Sequence, residues 1–144
     1  MERRVRDVMQ THVVAIGPED TLRTALRRMN EHHVRQLPVI ENGYLTGILT
    51  DRDIRLHVVY LEDRLESADS FNSALDTLVD GIMTREVNVL HPEDSLDDAA
   101  ALFLHQKFGG APVVLGSIAD GNAQVVGILT YIDLLEELRR LLKG

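Results

Sequence analysis

The sequence has no cysteine and no tryptophan, only four prolines, and aromatics make up 4% of it. Without cysteine there is no disulfide framework, no zinc–thiolate site and no thiol nucleophile. Basic residues are also in deficit: 15 Lys and Arg face 23 Asp and Glu, a net charge of −8. That balance argues against nucleic acid as a partner, which needs a cationic footprint, and the few aromatics leave little for base stacking. No apolar run reaches the ~18 residues of a membrane span, and no apolar signal core follows Met1-Glu2-Arg3-Arg4-Val5-Arg6. We therefore expect a cytoplasmic protein that neither crosses a membrane nor binds nucleic acid. Walker A, Rossmann and nucleophile-elbow strings are missing, and the six histidines show no metal-ligand spacing. No catalytic constellation is read, so neither enzyme activity nor a bound metal is expected. What remains is 144 residues, 44% of them apolar, enough to bury a core without staples.

The informative feature is internal repetition. Val5 to Ile40 aligns without a gap on Val79 to Val114, with Met9/Met83, Val13/Val87, Leu22/Leu96 and Ala25/Ala99 identical. Pro18-Glu19-Asp20 returns as Pro92-Glu93-Asp94, and Pro38-Val39 as Pro112-Val113. Gly47-Ile48-Leu49-Thr50 then matches Gly127-Ile128-Leu129-Thr130, after six extra residues in the second copy. The insertion falls in the turn-rich stretch 116–122.

Each copy predicts strand, helix, strand, strand, helix, an α+β pattern. Short strands are expected at Val13–Ile16 and Val87–Leu90. Helices follow, with Asp20 or Thr21, and Asp94 or Ser95, as N-caps. Leu22, Ala25, Leu26 and Met29 form one apolar stripe, and Leu96, Ala99, Ala100 and Phe103 the other. Strands at Gln36–Ile40 and Tyr44–Leu49 flank Glu41-Asn42-Gly43, a hairpin signal. Their counterparts are Ala111–Leu115 and Val125–Leu129. Closing helices start near Asp51 and Tyr131. The expected organisation is a first motif over 1–58, an acidic connector over 59–78 ending in a short helix, and a second motif over 79–144. The Leu-rich last helix, Ile132–Leu142, is expected to pack on a second copy in a homodimer.

The ordered, duplicated strings resemble those of tandem CBS-domain proteins, or Bateman modules. The matching pieces are Val8-Met9, Pro18-Glu19-Asp20-Thr21-Leu22, Arg35-Gln36-Leu37-Pro38-Val39-Ile40 and Gly47-Ile48-Leu49-Thr50-Asp51-Arg52-Asp53. The second copy supplies Ile82-Met83, Pro92-Glu93-Asp94-Ser95-Leu96, Gly110-Ala111-Pro112-Val113-Val114 and Gly127-Ile128-Leu129-Thr130-Tyr131-Ile132-Asp133. The resemblance implies two motifs packed sheet to sheet about a pseudo-two-fold axis. It also implies clefts that take AMP, ADP, ATP or S-adenosylmethionine, with no further cofactor, and a regulatory role. With the chain consumed by the two copies, the regulated protein partner is expected to act in trans. The competing reading is the same fold used as a ligand-independent dimerisation scaffold.

The physical basis of such a site is readable. A strand ending at Thr50 hands over to a helix whose first amides suit a phosphate, while Asp53 one turn on can accept from two ribose hydroxyls. The resemblance carries these roles to Thr50, Asp53, Thr130 and Asp133. It carries adenine contacts to Val14, Ala15, Leu37, Pro38 and Val39, and to Asn88, Val89, Ala111, Pro112 and Val113. The same Thr-x-x-Asp spacing also reads as a helix cap. Arg35 and Arg52 are candidate phosphate binders, replaced by Gly109 and Ile132 in the second copy. Residues 1–58 hold 9 basic and 8 acidic side chains against 5 and 10 from residue 79 onward, so the first site is expected to bind an anion more tightly.

Overall fold

The structure, a computed structural model, describes residues 2–62, 70–106 and 109–144. Its elements are α1 (Val5–Val8), α2 (Leu22–His32), β1 (Gln36–Glu41), β2 (Tyr44–Thr50), α3 (Asp51–Glu62) and α4 (Ser70–Leu75). A 3₁₀ turn (Val79–Gly81) then leads to α5 (Leu96–Gln106), β3 (Gly110–Leu115), β4 (Gln124–Thr130) and α6 (Tyr131–Leu142). The α+β class is as the repeat predicts. Of the expected acidic connector, residues 63–69 lie outside the described residues; its closing part is the short helix α4.

The chain forms two compact units, Val14–Val87 and Met1–Val13 with Asn88–Gly144. Each is built round an antiparallel hairpin, β1–β2 or β3–β4, with a matching register shift at Val39/Ile40 and Val113/Val114. Asn42 and Gly43 both adopt positive φ in the first hairpin turn, which the Asn-Gly pair accepts at little cost. The predicted first strands are shorter than expected. Only Ile16 and Leu90 pair, each as a single parallel bridge to Val39 or Val113. The Ile16 amide donates to Pro38 O (3.0 Å) and the Ile16 carbonyl accepts the Ile40 amide (2.9 Å); Leu90 pairs likewise with Pro112 and Val114. Pro38 and Pro112 have no N–H to extend the ladder, so one residue is all that pairs.

The other edge of each hairpin is where the units depart from the repeat boundaries. The opening segment of the first repeat, its leader, completes the sheet of the second, and the leader of the second repeat completes the sheet of the first. Gln10 exchanges two backbone bonds with Ile128 (2.8 and 2.9 Å), as Thr84 does with Ile48 (2.8 and 2.9 Å). Val5 and Arg6 donate to the carbonyls of Asp94 and Pro92, and Val79 and Asp80 to those of Asp20 and Pro18. The Pro-Glu-Asp turn of each repeat is thus the receptor for the other repeat's leader. Asp20 and Asp94 hold those turns by accepting the Gly17 and His91 amides, while Thr21 and Ser95 cap the helices.

The leaders are core elements. Val79 and Met83 belong to the cluster of Leu22, Ala25, Met29, Leu37, Val39 and Leu49, and Val5 to that of Ala99, Phe103, Ala111, Val113 and Leu129. Burying one valine completely contributes about 1.5–3 kcal/mol. Glycine at 47 and 127 is required by this docking. A Cβ on Gly47 would lie 2.8 Å from Met83 Sδ and 2.9 Å from Thr84 O; on Gly127 it would lie 2.6 Å from Met9 Sδ and 2.9 Å from Gln10 O. In the second unit Arg3 and Arg140 close on the buried carboxylate of Glu137. The Arg140 hydrogen bond foremost, with the charges of both arginines, holds that carboxyl below the usual glutamate range against the opposing effect of burial.

Gly47→Ala is expected to cost about 1–3 kcal/mol by overpacking the leader against β2, lowering the melting temperature by roughly 3–10 °C. A melt equal to wild type would contradict the close approach.

Candidate functional site

The Thr-x-x-Asp strings sit where β2 meets α3 and where β4 meets α6. In both, the threonine ends the strand and the aspartate lies in the first helical turn. The Thr50 amide donates to Asp53 Oδ2 (3.0 Å), and the Asp53 amide to Thr50 Oγ1 (3.1 Å). Thr130 and Asp133 repeat this at 2.8 and 3.3 Å, with a further bond from Thr130 Oγ1 to Asp133 Oδ2 (3.1 Å). The capping arrangement is therefore present at both sites. It leaves Oδ1 of each aspartate facing the leader at the sheet edge, and there the two sites differ. On that side Asp53 accepts the Thr84 hydroxyl, shared between its oxygens at 3.3 and 3.5 Å, and stays half-buried. Asp133 accepts the Gln10 side-chain amide at 2.9 Å and is 6% exposed.

The other candidates fall into three groups. Leu37, Val39, Ala111 and Val113 belong to the two cores and Pro38 and Pro112 are fully buried beside them in sequence, so their backbone is what these residues offer a ligand. Val14, Ala15 and Val89 are half-buried on the segments before the bridging residues. Ala15 O accepts from Arg28 Nη1 at 2.9 Å, and Arg28 lies 3.7 Å from Asp20. Asn88 is exposed and donates to Gln106 Oε1 (3.0 Å). Arg35 and Arg52 are exposed; the Arg35 carbonyl takes the Asp51 amide (2.9 Å), which holds β1 against the start of α3. In the second unit the Tyr131 amide bonds Gly109 O in the same way, and the ring occupies the space a Gly109 side chain would need.

Three residues escaped the sequence reading: Thr84, Gln10 and Arg28. Thr84 and Gln10 each follow the methionine of the repeated Val8-Met9/Ile82-Met83 string, so alignment pairs them, but each works on the other repeat's aspartate. Arg28 aligns with Leu102 and extends the charge difference already seen at Arg35/Gly109 and Arg52/Ile132. Among the described residues, no group of three or more His, Cys, Asp or Glu is placed to hold a metal, and no helix is long and apolar enough to cross a membrane. A cavity of about 290 Å³ lies beside Arg3, Glu137 and Arg140, away from every candidate named above.

Comparison with known proteins fits this duplicated geometry. The CBS-domain family model matches residues 5–60 and again 79–140. The chain belongs to the CBS-domain family. It is 34% identical over 130 residues to the CBS domain-containing protein YhcV of Bacillus subtilis, covering 90% of this chain and 81% of that one. The fold matches protein MJ1225 of Methanocaldococcus jannaschii with a TM-score of 0.85 at 24% identity, over 95% of this chain and 48% of that one. It also matches CBSX2, whose structure was solved in complex with AMP, with a TM-score of 0.77 at 26% identity, over 96% and 98% of the two chains.

The unequal burial of the two CBS aspartates gives an expected order of stability effects. Asp133→Ala loses a cap together with the Gln10 and Thr130 hydroxyl bonds, about 2 kcal/mol, whereas Asp53→Ala loses about 1 kcal/mol. Chemical denaturation of both variants checks this, and equal costs would contradict the assigned hydrogen bonds.

Proposed function

We propose that this CBS pair is a non-catalytic, cytoplasmic sensor of an adenosine nucleotide, with AMP the first compound to test. The observation that supports this most strongly is the full-length likeness to CBSX2, solved with AMP, combined with the Thr50–Asp53 arrangement. In this reading the Asp53 carboxylate accepts from the ribose hydroxyls. The first amides of α3, with Thr50, Arg52 and Arg35, hold the phosphate. Backbone groups of Val14, Ala15 and Leu37–Val39 border the adenine. The second site would offer Asp133 and Thr130 with backbone from Asn88, Val89 and Ala111–Val113. A ligand that favours one conformation of the pair shifts its population, and a partner protein in trans reads the shift.

One observation favours a second reading, a ligand-independent scaffold. On α6, Tyr131, Leu135, Leu138 and Leu142 follow one another at helical spacing and are all exposed, with Leu142 at 77%. A homodimer in which a second copy covers this row accounts for it, and it is compatible with sensing.

A thermal melt with AMP separates the readings. At about 100 times its Kd, AMP should stabilise a single-site protein by roughly 2.7 kcal/mol, a shift of several degrees. The shift should vanish in Asp53→Ala and persist in Asp133→Ala, each compared with its own ligand-free melt. No shift with AMP, ADP, ATP or S-adenosylmethionine at millimolar concentration would leave the scaffold as the function.

A further inference from the structure

Gln10 and Thr84 occupy equivalent places: each follows the leader methionine, exchanges backbone bonds with the middle of the neighbouring strand, and turns its side chain onto the aspartate of a capping box. We propose that this one position decides which CBS site admits a ligand: Gln10 closes the Thr130–Asp133 site, and Thr84 leaves the Thr50–Asp53 site open. The proposal rests on the nucleotide reading above and adds a residue-level selector to it.

The chemistry separates the two side chains. A carboxylate only accepts, so it is the NH₂ end of Gln10 that faces Asp133. That group offers a ribose hydroxyl no acceptor, and it occupies one of the two acceptor positions of Oδ1 at 2.9 Å while Oδ2 already takes the Thr130 amide and hydroxyl. A ribose diol, which needs two acceptor positions, finds only one left at Asp133 and must compete with the amide for a carboxylate that is 6% exposed. The Thr84 hydroxyl is donor and acceptor at once. Its bonds to Asp53 are long and divided between both oxygens, so rotation about one side-chain torsion frees the carboxylate or lets the hydroxyl accept from the ribose. Arg28, Arg35 and Arg52 add cationic charge on the open side, where the closed side carries Leu102, Gly109 and Ile132.

The test is isothermal titration of wild type, Gln10→Thr and Thr84→Gln with AMP, and in parallel with adenosine, which lacks the phosphate the arginines would hold. Gln10 and Thr84 are both exposed, and ligand-free melts of the variants verify that each folds. Wild type should bind one equivalent per chain, and Gln10→Thr two, the second seen with adenosine as well as AMP. Thr84→Gln should bind at least tenfold more weakly. One equivalent in a folded Gln10→Thr, two in wild type, or undiminished binding in Thr84→Gln overturns the selector while the sensing reading stands. Binding of neither compound by any of the three overturns the AMP reading and the selector together.

Discussion

The close approach of each leader to a strand glycine governs how the rest of this molecule is assembled. A leader reaches its sheet edge only because position 47 or 127 has no side chain; the methionine sulfur and the backbone carbonyl of the next residue lie where a Cβ would be. From that approach follow the paired backbone bonds to Ile48 and Ile128, the burial of Val79 and Val5, and the capture of the leader's first amides by the Pro-Glu-Asp turn. The two units use the same wiring at every one of these points. Duplication has therefore preserved an exchanged arrangement, in which neither repeat supplies all of its own sheet.

The exchange also links architecture to the candidate sites. The residue that follows the leader methionine is delivered to the oxygen of the capping aspartate that the cap leaves over. Two capping boxes with the same backbone then acquire different donors: one a hydroxyl at long contacts divided between both carboxylate oxygens, the other a side-chain amide on a carboxylate that is almost fully buried. In a low-dielectric position a satisfied carboxylate–amide pair resists displacement far more than a long, shared hydroxyl contact at the surface. Sequence drift at one leader position is enough to make duplicated sites unequal without touching the strand–helix junction that defines them.

Much of this was legible from residue order. The Asn-Gly turn, the apolar stripes of α2 and α5 and the Thr-x-x-Asp junctions depend on local chemistry, and local chemistry is written locally. The strands expected at 13–16 and 87–90 come down to single bridges, because apolar residues there suggest pairing that the prolines opposite restrict to one residue. The pairing of leaders with sheets was not readable at all. Val8-Met9 and Ile82-Met83 are chemically alike, and Gly47 and Gly127 are identical, so either assignment satisfies the pattern. For the same reason Gln10 was invisible as a partner of Asp133, more than a hundred residues away in sequence. Only the three-dimensional path of the chain joins them.

The exchange is tested most directly by double-mutant cycles on stability, pairing Met9→Ala with Gly127→Ala and, separately, with Gly47→Ala. Truncating Met9 removes the sulfur that a new Cβ at 127 would strike, so the first pair should couple by at least about 0.5 kcal/mol. The second pair should be additive within about 0.3–0.5 kcal/mol. Coupling of Met9 to Gly47, with additivity at Gly127, would mean that each repeat keeps its own leader and would contradict the account.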